Sequence, residues 1–237
     1  MSGLDGSVGA LRARLEGAPE DAAALLREGA EAGLPEAQAA YGQMLLDGRG
    51  VPADAEAALG WFRKAAASGH VMAINMIGRC HEKGWGTPVD RDAAARCFRV
   101  AAERGLDWGM YNYAGALGLG AGVPQDEAAA MGWFQRAAAL GHAKSINFVG
   151  GYHEEGRLTV RDMAKAAECY RIAAEAGDFR GQFNHARLLA EAGRTDEAID
   201  WIFRAGETAS PDFRARMRAY CEAAPVSALN AAAERLR

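Results

Sequence analysis

An all-α array of helix–turn–helix repeats is the fold class this sequence predicts, and three observations predict it. Glycines recur at Gly33, Gly69, Gly105, Gly141 and Gly177, each 36 residues after the last. A fixed period of that length marks stacked supersecondary units. Between these glycines a Gly-x-Gly turn leads to an aspartate: Gly48, Gly50 and Asp54, then Gly84, Gly86 and Asp90, then Gly120, Gly122 and Asp126. On either side of the turn, small and apolar residues fall at helical spacing in matching columns.

The columns of the first helix come first. It opens on a small residue: Ala37, Ala73, Gly109, Ser145 and Gly181. Four residues on stands an apolar one, Tyr41, Ile77, Tyr113 and Val149, with His185 breaking the column. Beside it is a small residue again: Gly42, Gly78, Ala114, Gly150 and Ala186. Glycine inside a helix costs ~1 kcal/mol against alanine, so its recurrence implies close approach of a neighbouring helix.

The turn glycine suits a helix C-cap, where positive φ is needed. The fourth unit keeps Gly156 but has Leu158 at the second glycine place. Asp54, Asp90, Asp126 and Asp162 stand where the next helix needs an N-cap. The second helix then carries a bulky pair, Trp61–Phe62, Cys97–Phe98, Trp133–Phe134 and Cys169–Tyr170, with an alanine pair one turn later. Large against small at helical spacing lets two helices interlock.

Taken in chain order, residues 4–16 read as a short amphipathic stretch with Leu4, Leu11 and Leu15. Pro19 to Gly33 matches a second helix, so 1–33 is expected to be a worn N-terminal cap; terminal repeats are atypical because one face meets water. Four full repeats follow, 34–69, 70–105, 106–141 and 142–177. A fifth, 178–209, is shortened: Trp201 comes 32 residues after Cys169. There Gly193 is expected to make the turn alone, with Thr195 or Asp196 as the next cap. Capping helices are expected over 210–237, started by Ser210–Pro211–Asp212, interrupted at Pro225 and recapped by Ser227. The whole chain, 1–237, is expected to form a single solenoid domain of about fourteen helices.

The small–x3–apolar–Gly first helix, the Gly-x-Gly-Val-x-x-Asp turn at Gly48 to Asp54 and Gly120 to Asp126, and the Trp-Phe-x-Lys-Ala-Ala run at Trp61 to Ala66 resemble the Sel-1-like repeat family, a variant of the tetratricopeptide repeat. The resemblance implies a right-handed superhelical α-solenoid whose first helices line a concave face. Carried over by column, it implies a peptide- or protein-binding face. In repeat two its residues are Asn75, Arg79 and Glu82, flanked by Met72 and Lys83. Trp108 and Tyr111 follow in repeat three, Asn147 and Glu154 in repeat four, and Arg187 in repeat five. Trp108 and Tyr111 beside small residues suggest an anchor pocket. The asparagines and cations suit a peptide backbone or carboxylate, or else merely brace the repeats.

Composition narrows the function classes. The net charge of −4 gives no electrostatic footprint for nucleic acid. No run of 18 apolar residues suggests membrane insertion, and Met1 to Gly9 shows no signal-peptide pattern. A cytoplasmic location is therefore expected, with Cys80, Cys97, Cys169 and Cys221 as free thiols. Cys97 and Cys169 share the column of Trp61 and are expected in the core.

The catalytic patterns that the sequence offers are incomplete. Gly-x-Gly follows a helix, where a dinucleotide fold needs a strand. His81–Glu82 and His153–Glu154 lack the second histidine at i+4 that a zinc-protease helix needs; Trp85 and Arg157 stand there. Both histidines are expected half-buried at a helix seam, and His70 and His142 at helix starts. Some cysteine-rich relatives are associated with β-lactam binding or hydrolysis. Ala66 and Ile74, or Ala138 and Ile146, replace their paired cysteines here. The expectation is a non-catalytic, monomeric adaptor or regulator without cofactor or metal, binding a protein or peptide. A dedicated inhibitor or immunity-type protein is the alternative.

Overall fold

The computed structural model describes residues 17–236, which contain thirteen α-helices and no strand. The amphipathic stretch expected at 4–16 lies outside the described residues. The helices are α1 Pro19–Glu31, α2 Pro35–Asp47, α3 Ala55–Ala67, α4 Val71–Lys83, α5 Arg91–Glu103, α6 Asp107–Leu119 and α7 Glu127–Ala139. They continue as α8 Ala143–Glu155, α9 Met163–Glu175, α10 Phe179–Glu191, α11 Thr195–Thr208, α12 Pro211–Ala223 and α13 Ser227–Glu234. This is the all-α helix–turn–helix repeat architecture that the period predicts. The chain divides into two compact units, parting between Glu127 and Ala128.

In the first unit α1 through α6 pack each on the next. Its core gathers Tyr41, Leu45, Leu59, Phe62, Met76 and Cys80 around the alanines Ala30, Ala58, Ala65 and Ala73. The close approach implied by the helical glycines is made by an aromatic ring. A Cβ on Gly78 would lie 2.6 Å from Cε1 of Phe98, and one on Gly42 2.9 Å from Cε1 of Phe62. The ring of the second helix thus lies on the bare backbone of the first.

In the second unit α8, α9, α10 and α11 pack in succession, and α12 packs on α13. The same device appears at Gly150, where a Cβ would stand 2.7 Å from Cε1 of Tyr170. The C-terminal core collects Leu189, Ile202, Phe213, Met217, Cys221, Leu229 and Leu236. Phe183 joins α10 to α12 through edge contacts with Phe213 at 5.6 Å and Tyr220 at 5.3 Å.

Capping follows the sequence in most places. Asp54, Asp90 and Asp162 accept from the backbone N–H groups of Ala57, Ala93 and Lys165. His70 caps α4 through Nδ1, which accepts from Ala73 N at 3.1 Å, and His142 does the same for α8 with Ser145. Two expected caps differ. Arg194, not Thr195 or Asp196, is the N-cap of α11; it contributes no capping bond and pairs instead with Glu197 at 2.6 Å. Val226, not Ser227, is the N-cap of α13, and it makes no side-chain capping bond. With only Gly193 in the turn (φ 78°), the shortened loop brings the helix start forward by a residue or two.

The cysteines also differ from expectation. All four are unpaired, but Cys97 and Cys169 are half-buried, while Cys80 and Cys221 are buried. The buried member of each bulky pair is the second one, Phe62, Phe98 and Tyr170. The first member turns toward the repeat's edge, where Trp61 meets Tyr41 edge-on at 5.7 Å. His185, which breaks the Tyr41 column, meets Trp201 in the same way at 5.5 Å.

Two stability outcomes follow from this packing. Gly78→Ala should destabilise by about 1–3 kcal/mol because Phe98 must move, whereas Gly115→Ala should stabilise by about 1 kcal/mol. A Cβ at Gly115 would meet nothing within 4 Å. Urea unfolding of the two variants should show shifts of opposite sign. Leu158 is the one non-glycine residue with positive φ (61°) among the described residues, and its side chain is exposed. Left-handed backbone costs a residue with a Cβ roughly 1–2 kcal/mol. Leu158→Gly should therefore raise the unfolding midpoint, and a fall in the midpoint would contradict the strain.

Candidate functional site

The first helices carry every residue singled out for binding, and each unit presents its own set. In the first unit α4 places Met72, Asn75, Arg79 and Glu82, and α6 places Trp108 and Tyr111. Met72 and Trp108 hold equivalent positions in consecutive repeats and are 36% and 37% exposed. Trp108 meets Tyr111 edge-on, ring centroids 6.1 Å apart. Arg79 lies over the Trp85 ring at 5.2 Å. Glu82 pairs with its neighbour Lys83 at 3.2 Å.

The asparagines face inward. Asn75 is buried, and its Oδ1 accepts from Asn112 Nδ2 at 2.8 Å. In the second unit Asn147 is buried, and its Oδ1 accepts from Asn184 Nδ2 at 2.8 Å. Each bond joins one first helix to the next across 37 residues. Asn75 and Asn147 thus form ties between repeats. Asn112 and Asn184 were not singled out from the sequence; an asparagine 37 residues after another was the available signal.

The remaining two candidates, Glu154 and Arg187, are brought together in the second unit. Arg187 pairs with Glu154 through Nη2 and with Glu191 through Nη1 at 2.9 Å. The Tyr170 hydroxyl donates to Glu154 at 2.6 Å. Sequence reading missed Tyr170: its hydroxyl is what sets it apart from Phe62, Phe98 and Phe134 in the same column. Burial alone would raise the Glu154 carboxyl, but the Tyr170 hydroxyl and the Arg187 guanidinium outweigh it and hold its pKa below the ordinary glutamate value.

Burial raises all four thiols, Cys80 and Cys221 to about 11, so none presents a thiolate near neutral pH. His81 and His153 are half-buried with Nδ1 enclosed and unbonded. Among the described residues no three His, Cys, Asp or Glu side chains gather as a metal site. No described helix is long and apolar enough to cross a membrane.

The stacked helix pairs define a helical repeat protein. Residues 35–70, 71–106, 109–142 and 143–178 each match the Sel1 repeat, and the chain belongs to that family. Sel1 repeats are typically scaffolds for protein interactions. Among solved structures the chain is similar to a protective antigen of uropathogenic Escherichia coli with an SLR fold. That match has 27% identity and a TM-score of 0.70, over 95% of this chain and 50% of that one. A Sel1 repeat protein from Oxalobacter formigenes matches at 25% identity and TM-score 0.72, over 84% of this chain and 59% of that one. An immunity protein from Pseudomonas aeruginosa shares the fold at 14% identity and TM-score 0.57, over 85% and 80% of the two chains. The chain thus spans between half and three-fifths of the E. coli and O. formigenes proteins. No curated protein matches it.

The Glu154 network makes a pH prediction. A carboxyl whose folded pKa lies below its unfolded value stabilises fully above the unfolded value, and that stability is lost as pH falls through the folded value. Glu154→Gln should therefore cost most near neutral pH, and its gap to the parent should close as pH drops below 4.5, the ordinary glutamate value. Tyr170→Phe should cost about 1–2 kcal/mol. Urea unfolding across pH measures both, and a pH-independent gap for Glu154→Gln would contradict the network.

Proposed function

We propose that this protein is a non-catalytic interaction module, an adaptor or regulator that offers its first-helix face to a peptide or protein partner. One contrast carries the reading. The packing columns repeat small and apolar residues almost without change, while the outward columns of the same helices vary in size and charge along the array. One such column runs Glu36, Met72, Trp108, Lys144, Arg180, and another Gln43, Arg79, Gly115, Gly151, Arg187. Stacking needs uniform columns, and recognition of one partner needs different ones. Exposed Trp108 and Met72 supply large apolar side chains of the kind that anchor interfaces. A dedicated inhibitor would use the same face, and the fold shared with an immunity protein is in keeping with that variant of the reading.

The test is capture of a partner from the native cell, followed by affinity measurement with variants. Trp108→Ala combined with Tyr111→Ser should weaken binding by about 2–4 kcal/mol. Arg99→Ala, on the exposed side of second helix α5, should leave it unchanged. Equal binding by the Trp108/Tyr111 variant, with loss on changing second-helix surface residues, would move the site off the first-helix face.

A further inference from the structure

Two arginines, Arg79 in α4 and Arg187 in α10, hold the same place in their repeats, 108 residues apart, three periods of 36. Arg187 is saturated by Glu154 of the preceding first helix and by Glu191 one turn on in its own. The residues in those two places around Arg79 are Leu46 and Lys83, an apolar side chain and a second cation. The first repeat repeats the local half of the pattern: Gln43, in the same column, donates to Asp47 at 2.8 Å. Arg79 makes no ion pair among the described residues. It is instead held over Trp85 at 5.2 Å, a cation–π contact that leaves guanidinium N–H donors for a carboxylate. The column's next member is Gly115, whose missing side chain leaves open space.

We propose that Arg79 takes a glutamate side chain of the bound partner, in the role that Glu154 plays for Arg187 within the chain. This deepens the interaction reading above and rests on it. The commitment to a glutamate comes from the chain itself, where both groups on Arg187 are glutamates. Half-buried Leu46 offers apolar surface to the methylenes of the incoming side chain, while the nearby Lys83 is already paired with Glu82 at 3.2 Å and leaves the carboxylate to Arg79. A bidentate arginine–carboxylate pair is directional as well as strong, so it fixes the register of a partner segment.

The test uses the full chain and a bead library of random peptides amidated at the C-terminus, so that side chains are the only carboxylates. Bound peptides should be enriched in glutamate at one fixed position. For a selected peptide, Glu→Gln and Arg79→Met should each weaken binding about tenfold, and together no more than either alone. Lys83→Glu keeps Arg79 but gives it a carboxylate in the place of Glu191; it should also weaken binding about tenfold, with the helical circular dichroism unchanged. If bound peptides carry no acid, or Arg79→Met binds them as the parent does, the glutamate proposal is overturned while first-helix binding stands. If no peptide in the library binds, this proposal falls, and the capture experiment still decides the broader reading.

Discussion

The structure depends on one close approach, made at Gly42, Gly78 and Gly150, where the aromatic ring of the second helix rests on bare backbone of the first. At Gly78 and Gly150 a methyl group would stand only 2.6 and 2.7 Å from a ring carbon of Phe98 or Tyr170, well inside van der Waals contact. That contact sets the separation of the two helices, and the separation decides what the other columns can hold. It puts Phe62, Phe98 and Tyr170 in the core and turns the preceding residue to the edge. At the edge a tryptophan is accompanied by a cation one turn on, Lys64 over Trp61 at 3.9 Å and Arg204 over Trp201 at 4.7 Å. Where the edge residue is Cys97 or Cys169, the same place holds Val100 or Ile172.

The fold was legible because its determinants are backbone requirements that repeat. A helix C-cap of positive φ and a helix surface without Cβ each admit few residue types, so they leave the same letter every 36 residues. Gly84 and Gly120 end their helices in the left-handed conformation that the turn column implies, at φ 75° and 65°. Asp54, Asp90 and Asp162 cap as their column implies for the same reason. The periodicity failed where the period failed. In the four-residue-shorter fifth loop there was no column to read from, and the cap fell on Arg194.

The candidate site was legible only in part, because side-chain partnership crosses columns. Placing Asn75 and Asn147 on the first helices was correct, but their orientation depends on Asn112 and Asn184, one position further along in the next repeat. Column-by-column reading compares a residue with its equivalents and does not ask which non-equivalent residue it can reach. The Glu154, Tyr170 and Arg187 network has the same character. Its members come from three successive helices and three different columns, and Tyr170 looks like a conservative change of phenylalanine until Glu154 is set beside it.

The repeats therefore carry two kinds of information in one helix. The inward columns specify neighbours of the same chain, and every unit must meet the same demand there. The outward columns are under no such demand, so a polar group placed in them is either satisfied within the chain or left available for another molecule. Arg187 and Arg79 show the two outcomes in one column. The first is bound by two carboxylates and holds successive repeats together. The second has Leu46 and Lys83 at the two corresponding places and lies over the Trp85 ring. Lys83, one turn on from Arg79, pairs instead with Glu82 at 3.2 Å, so neither place offers Arg79 a carboxylate. Arg79 therefore keeps its guanidinium over Trp85 with no carboxylate on it among the described residues, the arrangement that the proposed partner glutamate would complete as Glu154 does for Arg187.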